Sequence, residues 1–252
     1  MAAGLSKKLN ISESELQKLK TDREKIKVSE IIFDYIKFNR IEFKAILNKF
    51  KSQTIYENGG FEEVANFQSL QINYGIGGIH AAIPNKIFEE TNEYLLKSLD
   101  VTSFYPFIMI QNDLHPEHID KNVFKSLLLE YFNERMKYPK KHPANYLYKI
   151  FLNSIYGLTN DEFSFLKDRK VTLAVCINGQ LLLTMLLDMI VTKIQKAQII
   201  MMNTDGFEIM IPRNMESLYL SICKEWENIT KLSLEHFNYQ KLIEFQKNLL
   251  SH

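Results

Sequence analysis

The run 171–191 is the most apolar stretch of the chain and long enough to cross a bilayer, yet it carries Asn178, Gly179, Gln180, Thr184 and Asp188. Such polar side chains are costly in lipid, so the run predicts a helix buried in protein rather than a membrane span. With 252 residues, 46% hydrophobic and 24% charged, the chain is long enough for a sizeable core, as one large domain or two small ones. Cys176 and Cys223 make neither a metal-type nor a redox pair, which argues against a disulfide-stapled secreted fold and for a reducing compartment. The start Met1-Ala-Ala-Gly-Leu-Ser-Lys-Lys has no apolar signal core. The expectation is a soluble protein of the cytoplasm with no membrane partner.

Along the chain, residues 11–27 read as a polar helix opened by a Ser12-x-x-Glu15 capping box. Residues 28–50 mix apolar and basic positions and are expected to pack on the body of the domain. Asn58-Gly59-Gly60 reads as a turn. The segment Gln71-Ile-Asn-Tyr-Gly-Ile-Gly-Gly-Ile-His80 gathers three of the nine glycines, too many for a helix. It is either a strand with bulges or a tight turn, or else a backbone surface close to a ligand. Residues 93–101 read as a strand, with Pro106 in the first turn of a following helix to about Gln111. Helical spacing then predicts an antiparallel pair, 121–137 and 145–156, joined by the basic turn Pro139-Lys-Lys-His-Pro143. Residues 199–202 and 207–211 read as strands flanking Asn203-Thr204-Asp205-Gly206, a hairpin signal.

Three places carry chemistry. Asp100 stands at a strand end and Asp205 at a hairpin tip, and two carboxylates converging from different strands can hold two divalent ions. On the helix from Asn145, positions 149, 153 and 156 share a face, so Lys149, Asn153 and Tyr156 line up a cation, an amide and an aromatic, with Gly157 as the expected helix end. Taken singly, each has a plain structural explanation: a surface Lys above a buried Tyr, or an Asp-Gly turn favoured for its backbone. Residues 121–170 hold ten Lys or Arg against five Asp or Glu, which fits a solvated face or a polyanion-binding groove. His115-Pro-Glu-His118, beside Asp113 and Asp120, reads as an exposed, unstructured loop, since no other His or Cys completes a tetrahedral metal set.

The three segments together, in this order, resemble the family B DNA polymerases of the phage-encoded branch. Asp100-Val-Thr-Ser103-Phe104-Tyr105-Pro106 resembles motif A, with Phe104 for Leu. Lys149-x-x-x-Asn153-Ser154-x-Tyr156-Gly157 fills every fixed position of motif B. Asn203-Thr204-Asp205-Gly206 is similar to motif C, with Asn for its first Asp and Gly for Ser. The resemblance covers most of the chain, from about Lys27 to Leu242.

It implies an α+β fold: a polymerase palm with a small antiparallel sheet backed by helices, plus short helical-hairpin fingers. The implied division is 1–57 as palm entry, 58–120 as palm with motif A, 121–160 as fingers with motif B, and 161–252 as palm with motif C. The implied activity is transfer of a deoxynucleotide from a dNTP to a primer 3′-hydroxyl on a DNA template, in replication. Asp100 and Asp205, with the Val101 carbonyl, would hold two Mg²⁺, for which Mn²⁺ can substitute. Ser103, Phe104, Tyr105, Arg135, Lys149, Asn153 and Tyr156 would bind the nucleotide, Lys149 neutralising the triphosphate and Tyr105 excluding a 2′-hydroxyl. Partners are primer-template DNA and dNTPs, in the host cytoplasm for a phage product. The chain departs from the family in Asn203, in leaving no room for a proofreading exonuclease, and in having few residues after motif C for a thumb, so a second chain supplying them is a further expected partner. Two rivals stand beside this: a non-catalytic nucleic-acid or partner-binding piece of a split or decayed polymerase, and a two-metal nuclease using Asp100 and Asp205, which leaves Lys149, Tyr105 and Tyr156 without a role.

Overall fold

A computed structural model describes residues 1–57 and 59–244. Asn58 of the expected turn and residues 245–252 lie outside the described residues. In chain order the elements are α1 (Ala2–Leu9), α2 (Glu13–Leu16), β1 (Lys25–Lys27), α3 (Ile41–Ser52), β2 (Thr54–Tyr56), β3 (Glu62–Phe67), β4 (Leu70–Gly75), β5 (Gly78–Ala82), β6 (Lys86–Glu89) and β7 (Tyr94–Val101). There follow α4 (Phe104–Gln111), α5 (Lys121–Met136), α6 (Pro143–Leu158), α7 (Arg169–Lys193), β8 (Gln198–Met202), β9 (Gly206–Pro212), α8 (Glu216–Thr230), β10 (Leu234–Tyr239) and β11 (Lys241–Glu244). The fold is α+β. The chain forms two compact units that interleave in sequence: Met1–Ile32, Thr54–Gly59 and Ser103–Asn178 in one, Phe33–Gln53, Gly60–Thr102 and the chain from Gly179 on in the other.

The first unit is mostly helical. Phe124, Leu127 and Leu128 on α5 are buried, as are Leu152 and Ile155 on α6, with Leu5 and Leu16 from the N-terminal arm. The antiparallel pair α5 and α6 forms as the spacing predicts, with Tyr131 packed on Phe151 at 4.4 Å between ring centroids. Asp120 caps α5 by accepting from the N–H groups of Asn122 and Val123. The helix expected over 11–27 is reduced to the single turn α2. Its capping box is present, Ser12 and Glu15 each accepting from the other's N–H. A polar segment has no apolar face to hold a long helix, and backbone and ion pairs draw it out instead. Thr21 N–H donates to the Lys167 carbonyl at 2.9 Å, and Arg23 grips Asp168 through Nε at 2.8 Å and Nη2 at 3.0 Å. Asp168, 1% exposed, also accepts from the N–H groups of Glu117 and Lys170.

The second unit is built on a seven-stranded antiparallel sheet in the order β10-β7-β9-β8-β5-β4-β3. This is wider than the small sheet expected. The glycine-rich segment makes the β4–β5 hairpin, and β5 pairs with β8 (Ala81↔Met202), which joins the hairpin and β3 to the strands carrying Asp100 and Asp205. Leu95 to Leu99 of β7 are buried without a break, as in a strand covered on both faces. On α8, Tyr219, Ile222, Cys223 and Trp226 are buried at helical spacing, and Trp226 Nε1 donates to the Leu182 carbonyl at 3.0 Å. Every residue from Val171 to Val191 on α7 is buried. Its polar residues are satisfied within each unit: Asn178 donates to the Ile31 carbonyl, and Asp188 accepts from the N–H groups of Asn39 and Arg40.

Candidate active site

In the second unit the acidic pair is placed by strand register. Asp100 faces Gly206 across β7 and β9. The Val101 N–H donates to the Asp205 carbonyl at 2.8 Å, and the Asn203 N–H donates to the Gly206 carbonyl at 2.9 Å, closing the turn. A Cβ on Gly206 would collide with the Leu99 carbonyl oxygen and the Asp100 carboxylate and would lie 3.1 Å from Asp100 Cα. Glycine at 206 therefore has a steric reason, since only a residue without a side chain lets β9 start beside Asp100. Asp100 and Asp205 are both exposed.

On its other side Asp100 faces Glu235 of β10, whose Oε1 accepts from Thr102 Oγ1 at 3.3 Å. Glu235 has no mark in the sequence beyond the alternation of Leu232 and Leu234 with polar neighbours, which is a strand signal. Among the described residues no group of three or more His, Cys, Asp and Glu is arranged to hold a metal ion. Two exposed carboxylates and a strand-end carbonyl nonetheless fit Mg²⁺, which takes one or two carboxylates and leaves its remaining positions to substrate phosphates and water.

The first unit carries the remaining residues. Ser103 adopts a left-handed conformation (φ 46°) at the head of α4, and its Oγ accepts from Arg135 Nη1 at 2.7 Å. Arg135 Nε donates to Asn145 Oδ1 at 3.1 Å, and the Asn145 amide donates to the carbonyls of Arg135 and Tyr138. Arg135 thus ties the start of α4 to the first turns of α6, a connection with no sequence signature. The Phe104 side chain is 4% exposed, so only its backbone can face a nucleotide. Tyr105 and Tyr156 lie 4.6 Å apart between ring centroids. Burial, with Cys176 and Tyr105 as neighbours, pushes the Tyr156 hydroxyl well above the usual range and keeps it neutral. Lys149 and Asn153 are exposed on α6. Gly157 is not the helix end as expected: α6 continues to Leu158, and Thr159 closes it by donating its hydroxyl to the Tyr156 carbonyl.

The His115–His118 segment is bonded rather than unstructured. His118 Nε2 donates to the Phe165 carbonyl at 2.9 Å, which leaves Nδ1 to accept from Thr21 Oγ1 at 2.7 Å. Asp113 pairs with Lys125, and that hydrogen bond lowers its pKa. These residues are structural links.

No protein-family model matches this chain, and no curated protein matches it.

Proposed function

We propose that this chain is the catalytic core of a DNA-templated DNA polymerase, transferring a deoxynucleoside monophosphate from a dNTP to a primer 3′-hydroxyl. The observation that carries the reading is the rung joining Asp100 to Gly206, with the Val101 N–H on the Asp205 carbonyl. It brings the backbone of Asp205 beside the strand end that carries Asp100. Mg²⁺ bound by Asp100, Asp205 and the Val101 carbonyl would supply charge neutralisation at the triphosphate and acidify the primer hydroxyl.

The chain's own residues do the rest. Lys149 Nζ stands for the charge on the triphosphate and gives a proton to the departing pyrophosphate oxygen. Arg135 holds Ser103 at the start of α4 and adds positive charge beside it. Tyr105 would lie under the sugar and close off the 2′ position, backed by the half-buried Tyr156 ring. Asn153, one turn beyond Lys149, matches the nucleotide's backbone, and Tyr156 would lie against the base pair being formed.

Primer extension with Mg²⁺ or Mn²⁺, with and without candidate partner proteins, tests the proposal. Template-dependent addition that disappears in Asp100→Ala is the expected result. Metal-dependent cleavage of DNA with no addition would replace the reading with the nuclease.

A further inference from the structure

We infer that the glycine hairpin between β4 and β5 is a positioning device for the Asn203–Asp205 turn, with Gly78 as its contact and Gln180 as its anchor. The inference rests on the polymerase reading only for what Asp205 is positioned to do.

Gly78 has φ +113°, a conformation open to glycine and strained for any L side chain. A Cβ there would lie 2.7 Å from Thr204 Oγ1, 3.0 Å from its Cγ2 and 3.2 Å from its Cβ. The Thr204 side chain therefore fills the space that a side chain at 78 would need. Thr204 is half-buried between Asn203 and Asp205, both exposed, so it is the one residue of the turn seated in the protein. Its neighbour Gly77 has nothing within 4 Å of a Cβ, so the steric demand falls on Gly78. The Asp205 turn is thus fitted between two glycines, Gly206 against Asp100 on one side and Gly78 against Thr204 on the other.

The hairpin that carries Gly78 is itself fixed. Gln180, 1% exposed on α7, uses both ends of its amide on one residue: Gly75 N–H donates to its Oε1 at 3.0 Å, and its Nε2 donates to the Gly75 carbonyl at 2.9 Å. Thr184 Oγ1 donates to the Gln180 carbonyl at 2.8 Å, which leaves the buried Tyr74 hydroxyl to donate to Thr184 at 3.1 Å. Two adjacent hairpin residues are therefore held by one helix face, and the rung Ala81↔Met202 carries β5 along the strand that leads into Asn203. A buried, fully bonded amide is a rigid support, and a displacement of about 1 Å at a reacting group can cost roughly a hundredfold in rate.

The test measures Mn²⁺ binding by electron paramagnetic resonance alongside primer extension, in the parent chain and in Gly77→Ala, Gly78→Ala, Gly78→Ala/Thr204→Ala and Gln180→Met, with Asp205→Ala defining the site. Gly77→Ala is expected to match the parent. Gly78→Ala should raise the Mn²⁺ half-saturation roughly tenfold and lower incorporation at least as much, and removing the Thr204 side chain in the double variant should recover part of both. A Gly78→Ala protein that melts earlier yet binds Mn²⁺ like the parent would overturn the inference and leave the polymerase reading intact. Should Gly78→Ala not fold, Gln180→Met decides: a half-saturation raised about threefold or more supports the device, and an unchanged one sinks it. A parent that neither extends a primer nor binds Mn²⁺ through Asp205 fails the polymerase reading itself.

Discussion

Asp100 and Asp205 are placed by backbone register, whereas Lys149, Asn153 and Tyr156 are placed by the pitch of one helix and the packing of side chains. The first arrangement tolerates no added atom: Gly206 and Gly78 each face a neighbour where a Cβ would sit. The second is open on one side, with Lys149, Asn153 and Gly157 exposed, and is held from within by the bonds of Arg135 and by the contact of Tyr105 with Tyr156. Substitutions in the strand half should therefore act through geometry and be steep. Those in the helical half should act through the chemistry of the single side chain removed.

Asp205→Ala should give the largest effect, a loss of incorporation of roughly a thousandfold or more, while the melting temperature stays near the parent's because the side chain is exposed. A variant that extends primers at the parental rate would separate the turn from the chemistry. Gly206→Ser, which puts in the residue of the motif that this turn resembles, should damage the protein. The added atoms press on the Leu99 carbonyl and Asp100, destabilising by about 1–3 kcal/mol as overpacking does and lowering incorporation at every metal concentration. Calorimetry with steady-state kinetics reads both, and a Gly206→Ser protein as stable and active as the parent breaks the steric half of the comparison.

In the helical half, Tyr105→Ala should change selectivity more than rate, raising ribonucleotide use relative to deoxynucleotide by about 10–200-fold, as expected when a steric gate is opened. Competition between dNTP and rNTP on one template measures it, and unchanged selectivity would reduce Tyr105 to a packing aromatic. Asn203→Asp should have the smallest effect. An added surface charge near bound cations contributes about 1 kcal/mol, so the Mg²⁺ requirement should fall roughly fivefold. A flat Mg²⁺ titration would mark Asn203 as neutral for catalysis.

The sequence showed most clearly those elements whose signal is local. β7, the β8–β9 hairpin, the α5–α6 pair and the buried α7 follow from alternation, turn chemistry and helical spacing, and Asp100 and Asp205 were visible because each ends such an element. The width of the sheet was not legible, because a glycine cluster states that the backbone is unusual without saying which neighbour requires it. Gly75 and Gly78 answer to Gln180 and Thr204, more than a hundred residues away in each case. Glu235 was hidden for the same reason, since a register shared by β10 and β7 leaves no mark on either strand alone. Residues 11–27 misled in the opposite sense: a correct capping box begins a helix that long-range pairing then cuts short.

That pairing has a bearing on synthesis. The partner of Arg23 lies 145 residues further along the chain. At about 5–20 residues per second on a ribosome, Arg23 emerges roughly 7–29 seconds before Asp168 exists to receive it. Through that interval the N-terminal arm, with Leu5 and Leu16 destined for burial, lacks this anchor. The Arg23–Asp168 link can close only once α7 has begun to appear, so this arm settles well after it is made, and in the interval Leu5 and Leu16 are open to chaperones or to neighbouring copies.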